Sequence, residues 1–432
     1  ASPQPVLQVS DASGELWAHW TSDRDTPFQP AFSPWPSEGF NFRFEPGSAA
    51  GRRGLVLGLH AAGQSYSEGW PHRFELPRDV DLLRLNDMHP NTNFSFWFGA
   101  HERFPSQPTA STEIWNYTQQ RVQWTLDWMT ARLGAAHDPE RVYVVGGSLG
   151  AIGGMLLAGE TPGRFAAILL RNGLYDLETT DYRNPDIFER LYGDFALGLR
   201  TQSGMPILER FDASHMANLA PAEDWPVIRT LSGRYDETVG WSSSVGLIAG
   251  LAAAHRPATH YFDERTHNPQ GYWEDLERTL LARTCQTRRD RPSLRFENGS
   301  LDDDAGNGAR TSGDPVGTIN GYLDYDLATA GATPSGLDFD VYLRASGALD
   351  DAPAATGWAA LTPRRIAPFT LTPGARVRFT LSEGSARVDE HVLIADANGL
   401  VHTPLVPLER THRHARFERW SPGPERSEEH TS

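Results

Sequence analysis

The sequence predicts an α/β domain on a doubly wound, mostly parallel sheet with a lid insertion, followed by an all-β sandwich domain. Three observations carry this expectation. Between residues 54 and 285, short apolar runs alternate with stretches of helical periodicity, the pattern of strands buried on both faces beneath helices. From about 173 to 224 that rhythm is interrupted by far more chain than the roughly 2–6 residues of an ordinary helix-to-strand loop, which reads as a lid. Beyond about 293 the period falls to two, punctuated by turns such as Pro373-Gly374 and Asn398-Gly399.

Along the chain, residues 1–45 alternate aromatic with polar positions (Phe40, Phe42, Phe44) and read as leading antiparallel strands. Leu55-Val56-Leu57 is a short buried strand, and 80–85 another. Residues 113–133 place Trp115, Val122, Leu126, Met129 and Leu133 on one helical stripe, with Ser111 or Thr112 as cap and Gly134 as terminator. Strands follow at 141–145, 165–170, 227–231 and 260–262, with helices at 149–159, 241–254 and from about 271. The expected division is therefore a first domain over 1–290, a β-sandwich over 293–412 with a linker leading into it, and a tail over 413–432. Residues 426–432 read like a common sequencing adapter translated in frame, which would trace the gene to an assembled environmental sequence; they are set aside from the fold.

Composition closes many functions. A net charge of −16 argues against nucleic acid and anionic membranes as partners, and no apolar run is long enough to span a bilayer. All 39 basic residues are arginine, so there is no lysine for a Schiff base, a phosphate loop or a Ser-x-x-Lys pair. Cys285 is the only cysteine, which rules out an internal disulfide and cysteine-rich metal sites. The start at Ala1-Ser2-Pro3 looks like a mature chain after leader removal, so export or a periplasmic location is expected, with the cytoplasm as the alternative.

The chemistry centres on Gly146-Gly147-Ser148-Leu149-Gly150, between an apolar strand and a helix of small residues. A serine on such a strained turn is exposed as a nucleophile, and the flanking glycines relieve the crowding. A serine hydroxyl needs a base and the base needs a carboxylate. Asp236 follows the strand ending at Leu231 and His267 follows the last strand, giving the order Ser, acid, His. Asp176 is the reserve acid and His260 the alternative base; His72, His89 and His101 read as surface or lid residues. The Leu149 amide is the expected first oxyanion donor. The loop Leu59-His60-Ala61-Ala62-Gly63-Gln64 supplies the second, taken as Ala62, with His60 supporting the loop.

These two segments resemble the polyhydroxybutyrate depolymerase and feruloyl esterase group of α/β-hydrolase serine esterases, across roughly 50–285. In that group a Leu-His-Gly-Cys-x-Gln-like loop supplies the oxyanion donor; here Ala61-Ala62 replaces Gly-Cys, and Thr266 precedes the histidine where many relatives have glycine. The resemblance implies carboxylic ester hydrolysis through an acyl-enzyme, on aryl, feruloyl or polyester substrates. Neither a cofactor nor a metal is expected, and the oligomeric state is open. Tyr66, Trp70, Phe94, Phe96, Trp97, Phe98 and Trp241 suggest an apolar-walled cleft, with Trp97 and Trp241 as substrate contacts. The alternatives are a prolyl-oligopeptidase-like serine peptidase with the same triad order and a non-catalytic polymer-binding protein.

Overall fold

The apolar runs of the first two-thirds of the chain form the middle of a ten-stranded mixed sheet in a computed structural model of the protein. The structure describes residues 4–26, 30–87, 94–178, 185–267, 274–345 and 351–420. In chain order the strands are β1 (Val6–Asp11), β2 (Gly14–Thr21), β3 (Glu38–Glu45), β4 (Arg53–Leu59), β5 (Val80–Leu85), β6 (His137–Gly147), β7 (Ala167–Arg171), β8 (Val227–Gly233), β9 (Ala258–Asp263) and β10 (Gly317–Ile319). Their order across the sheet is β1-β2-β3-β5-β4-β6-β7-β8-β9-β10. The six strands from β5 to β9 run parallel, while β1–β3 and β10 are antiparallel additions.

Successive residues of the central strands feed two different cores, which is why their sequences are continuously apolar. Leu55, Leu57, Val144, Ile168 and Leu170 face one core; Val56, Tyr143, Val145 and Leu169 face the other. The first core is closed by α1 (Tyr117–Leu133), α2 (Leu149–Glu160) and α6 (Trp241–Ala253), the second by α7 (Glu274–Gln286). Among the described residues no helix is long and apolar enough to cross a membrane.

Helix α1 begins four residues later than its hydrophobic stripe suggests. Glu113–Trp115 is extended instead, pairing with Ala100–His101 and Arg200–Thr201 in a small three-stranded sheet, and Asn116 occupies the cap position. The segment 173–224 contains α3 (Pro185–Tyr192), α4 (Ile207–Phe211) and α5 (Ala213–Asn218). Phe188 stacks on Phe96 at 4.0 Å, and the Tyr192 hydroxyl donates to the Ser95 carbonyl at 3.0 Å. This segment thus packs against the loop 94–98; residues 179–184 lie outside the described set, as do His89, Asn268 and the adapter-like 426–432.

The chain forms two compact units; the first runs to Asp290, where the boundary is expected, but it also takes back a later stretch of chain. Asp302–Gly321, expected as linker and the start of the sandwich, belongs to the first unit. Its strand β10 pairs with β9, and Arg234 donates to the main-chain carbonyls of Arg310 (2.8 Å), Ser312 and Asp314. The second unit has two antiparallel sheets. One joins Ser293–Glu297, Thr356–Arg364 and Val406–Glu409; the other contains Leu323–Tyr325, Gly336–Leu343, Arg376–Glu383, Ala386–Ile394 and Arg413–Arg419. Both contribute to one core, through Phe296 and Leu361 on one side and Phe339, Phe379 and Phe417 on the other. The tail expected from 413 therefore starts too early: Arg413–Arg419 lies between two strands of the larger sheet, with Ala415 and Phe417 fully buried.

Candidate active site

The turn between β6 and α2 holds Ser148 at φ 53°, a conformation that non-glycine residues adopt only under constraint. The constraint is a close approach of main chain on both sides. A Cβ on Gly150 would lie 1.9 Å from the Leu59 carbonyl oxygen, and one on Gly146 would lie 2.3 Å from the Gly150 carbonyl. Glycine is thus required at both positions. The Ser148 amide donates to the Arg171 carbonyl at 2.7 Å, which fixes the turn to the end of β7.

The three residues singled out for catalysis meet at one place. His267 Nε2 lies 2.8 Å from Ser148 Oγ, and His267 Nδ1 lies 2.6 Å from Asp236 Oδ2. An ionised carboxylate only accepts, so Nδ1 carries the proton and Nε2 is the acceptor facing the hydroxyl. The other carboxylate oxygen of Asp236 accepts from the Thr238 and Val239 amides at 2.8 and 3.1 Å. Asp236 is buried, while His267 retains some exposure at the cleft. Asp176 is not part of this relay: it accepts from the Glu178 amide at 2.9 Å. His260 pairs instead with Thr230 Oγ1 at 2.8 Å inside the sheet.

The loop after β4 is held as a unit. His60 Nε2 accepts from the Asp87 amide at 2.9 Å, which leaves the proton on Nδ1 to donate to the Ala61 carbonyl at 2.8 Å. Burial holds its imidazole below the ordinary histidine range, so a supporting role fits and a base role does not. Leu149 is the first residue of α2, where the amide has no partner within its own helix. The second expected donor departs from expectation. Ala62 is exposed and does not line the cleft; Ala61 does, and its amide is occupied by Gln64 Oε1 at 3.1 Å.

Ser148 and His267 open into a cleft of about 480 Å³. Its walls include Gln64, Glu68, Trp70, His72, Phe74, Glu75, Arg171, Asn172, Glu277 and Arg278, so it is more polar than the aromatic-rich sequence suggests. Trp97 and Trp241, expected as substrate contacts, are instead fully buried and support the loops around the site. The Trp97 indole donates to the His60 carbonyl at 3.2 Å and the Trp241 indole to the Ala305 carbonyl at 3.1 Å. Phe96 and Phe98 are core residues, and of the aromatic set only Trp70 reaches the cleft. His72 and Phe74 line the cleft without any sequence signal for it; their rings stack at 5.5 Å and Phe74 is 85% exposed. Among the described residues of 173–224 none lines the cleft.

Arg171 and Glu277 form an ion pair at 3.1 Å beside Ser148, with the guanidinium 4.9 Å from the Trp70 ring centroid. Burial raises the Glu277 carboxyl above the usual carboxylate range, against the opposing pull of Arg171. Sequence offered no sign of this pair, because its members stand 106 residues apart. Cys285 is buried, with its thiol pushed up to about 12 by desolvation, and is chemically inert at neutral pH.

No family model matches the chain, and no curated protein matches it in sequence. Several solved structures resemble it at low identity. An S-formylglutathione hydrolase from Agrobacterium tumefaciens is 14% identical over 64% of this chain and 95% of its own, with a TM-score of 0.42. Acetyl xylan esterase 1 from a Thermoanaerobacterium species is 10% identical over 66% and 89%, with a TM-score of 0.41. An acylaminoacyl peptidase of Pyrococcus horikoshii is 10% identical over 63% and 40%, with a TM-score of 0.43, so this chain spans less than half of its length.

Proposed function

We propose that this chain is a serine hydrolase of the α/β-hydrolase type that cleaves carboxylic esters through an acyl-enzyme. The observation that carries the reading is the continuous relay from Ser148 Oγ through His267 to Asp236, opening on a cleft beside a helix N-terminus. In this reading His267 takes the Ser148 proton as Oγ attacks the carbonyl, and returns it to the departing alcohol. Water then repeats the sequence to release the acid. The developing oxyanion is held by the Leu149 amide and by that of Ala61, which exchanges Gln64 Oε1 for the substrate oxygen.

The cleft supports a polar or ring-bearing substrate. A long acyl chain would desolvate Glu68, Glu75, Arg171 and Glu277, whereas the Trp70, His72 and Phe74 faces suit an aromatic or sugar ring. The second unit, with two antiparallel sheets around one core, is read as a β-sandwich accessory domain. The test compares nitrophenyl acetate, nitrophenyl palmitate and peptide nitroanilides. The expected order of kcat/KM is acetate first and palmitate at least tenfold below (about 1.4 kcal/mol in transition-state free energy). Cleavage of the nitroanilides alone would replace the esterase reading with a peptidase.

A further inference from the structure

Resting on that reading, we propose that Asn172 is a positioning residue that sets Ser148, Asp236 and His267 in register. It stands at the point where β7 leaves the sheet, buried, with φ 48°. Asparagine tolerates that left-handed conformation better than most side chains. Its side-chain amide spans the other two catalytic loops. Nδ2 donates to the His267 carbonyl at 3.0 Å, and Oδ1 accepts from the Gly233 amide at 3.0 Å. Those partners fix the orientation of the amide, since a carbonyl can only accept and an N–H can only donate. Gly233 in turn accepts from the Asp236 amide at 3.2 Å, so the acid's turn begins at the group Asn172 holds. The Asn172 main-chain N–H donates to the Leu231 carbonyl at 2.8 Å, and the preceding carbonyl, of Arg171, receives the Ser148 amide.

Two consecutive residues therefore touch all three loops that carry the relay. Each loop comes from a different strand, and displacement of one by a fraction of an ångström lengthens the 2.6 and 2.8 Å contacts on which proton transfer depends. Asn172 acts through the main chain of the histidine and acid loops.

Asn172→Gly and Asn172→Asp test this. Glycine adopts the same backbone angle without the bridge. Aspartate keeps an acceptor for the Gly233 amide but presents an oxygen to the His267 carbonyl in place of the donor. Rates are normalised to active sites by burst titration with nitrophenyl acetate, alongside the parent and Ser148→Ala. The expected result for Asn172→Gly is a kcat about 10–100-fold lower per active site, with KM within about threefold. For Asn172→Asp the added negative charge favours the His267 imidazolium, so the acid limb of kcat/KM moves to higher pH, a shift absent in the glycine variant. Asn172→Asp also keeps the test decidable should the glycine variant not fold. A kcat per active site within twofold of the parent, or an unmoved acid limb in the aspartate variant, would overturn the proposal. An inactive parent would instead remove the esterase reading itself.

Discussion

At Ser148 the geometry depends on what its neighbours lack. Gly150→Ala would place a methyl 1.9 Å from the Leu59 carbonyl oxygen, which belongs to the main chain of the central strand β4. The expected outcome is loss of soluble protein, or a Tm lowered by many degrees, checked by expression and thermal melting. Asp236→Asn should leave the fold intact and cut kcat by about 10³–10⁴-fold. An amide nitrogen facing Nδ1 forces the proton onto Nε2, which then no longer accepts from Ser148. The Ser, Asp and His were legible in the sequence because each follows an apolar strand, and strand ends deliver side chains to one edge of a parallel sheet. The lining residues were less legible. Trp97 and Trp241 carry the aromatic character of a cleft wall but are buried in the protein, whereas His72 and Phe74 carry no pattern that marks them as lining a cleft.

Among the elements, the excursion Asp302–Gly321 leaves no legible trace in the sequence, for a physical reason. Its strand is three residues long, and much of its attachment runs from Arg234 to main-chain carbonyls, which any side chain carries equally. The parallel strands were found because burial on both faces leaves a continuous apolar run; a strap bound through its backbone leaves none. Arg234 is buried two residues before Asp236, so this strap also covers the acid's turn. Arg234→Met removes the donors while keeping bulk. Three carbonyls are then left without that partner, and stability should fall by about 2–4 kcal/mol, with kcat falling in parallel; urea unfolding and ester turnover measure the two. A chain ended at 290 lacks β10 as well and should be less stable still.

At the scale of the whole molecule, acid sensitivity follows from buried histidines. Burial lowers His60, His101 and His137 below the ordinary value, His101 to about 4. Below about pH 6.5 the unfolded chain binds protons that the folded state refuses, so the stability these groups confer is present at neutral pH and is lost as pH falls toward 4. Asp87 and Glu277, both raised by burial, act in the opposite sense. The His101 share is isolated by comparison with His101→Gln: between pH 6.5 and 4.5 the parent's Tm should fall more steeply than the variant's. Whether Ser148 is an activated nucleophile in this fold is read by labelling with a fluorophosphonate followed by peptide mass spectrometry. A single adduct on Ser148 is expected in the parent, with at least a hundredfold slower labelling in His267→Ala, about 2.7 kcal/mol of lost activation. A folded parent that stays unlabelled, or one labelled equally fast without His267, would contradict it.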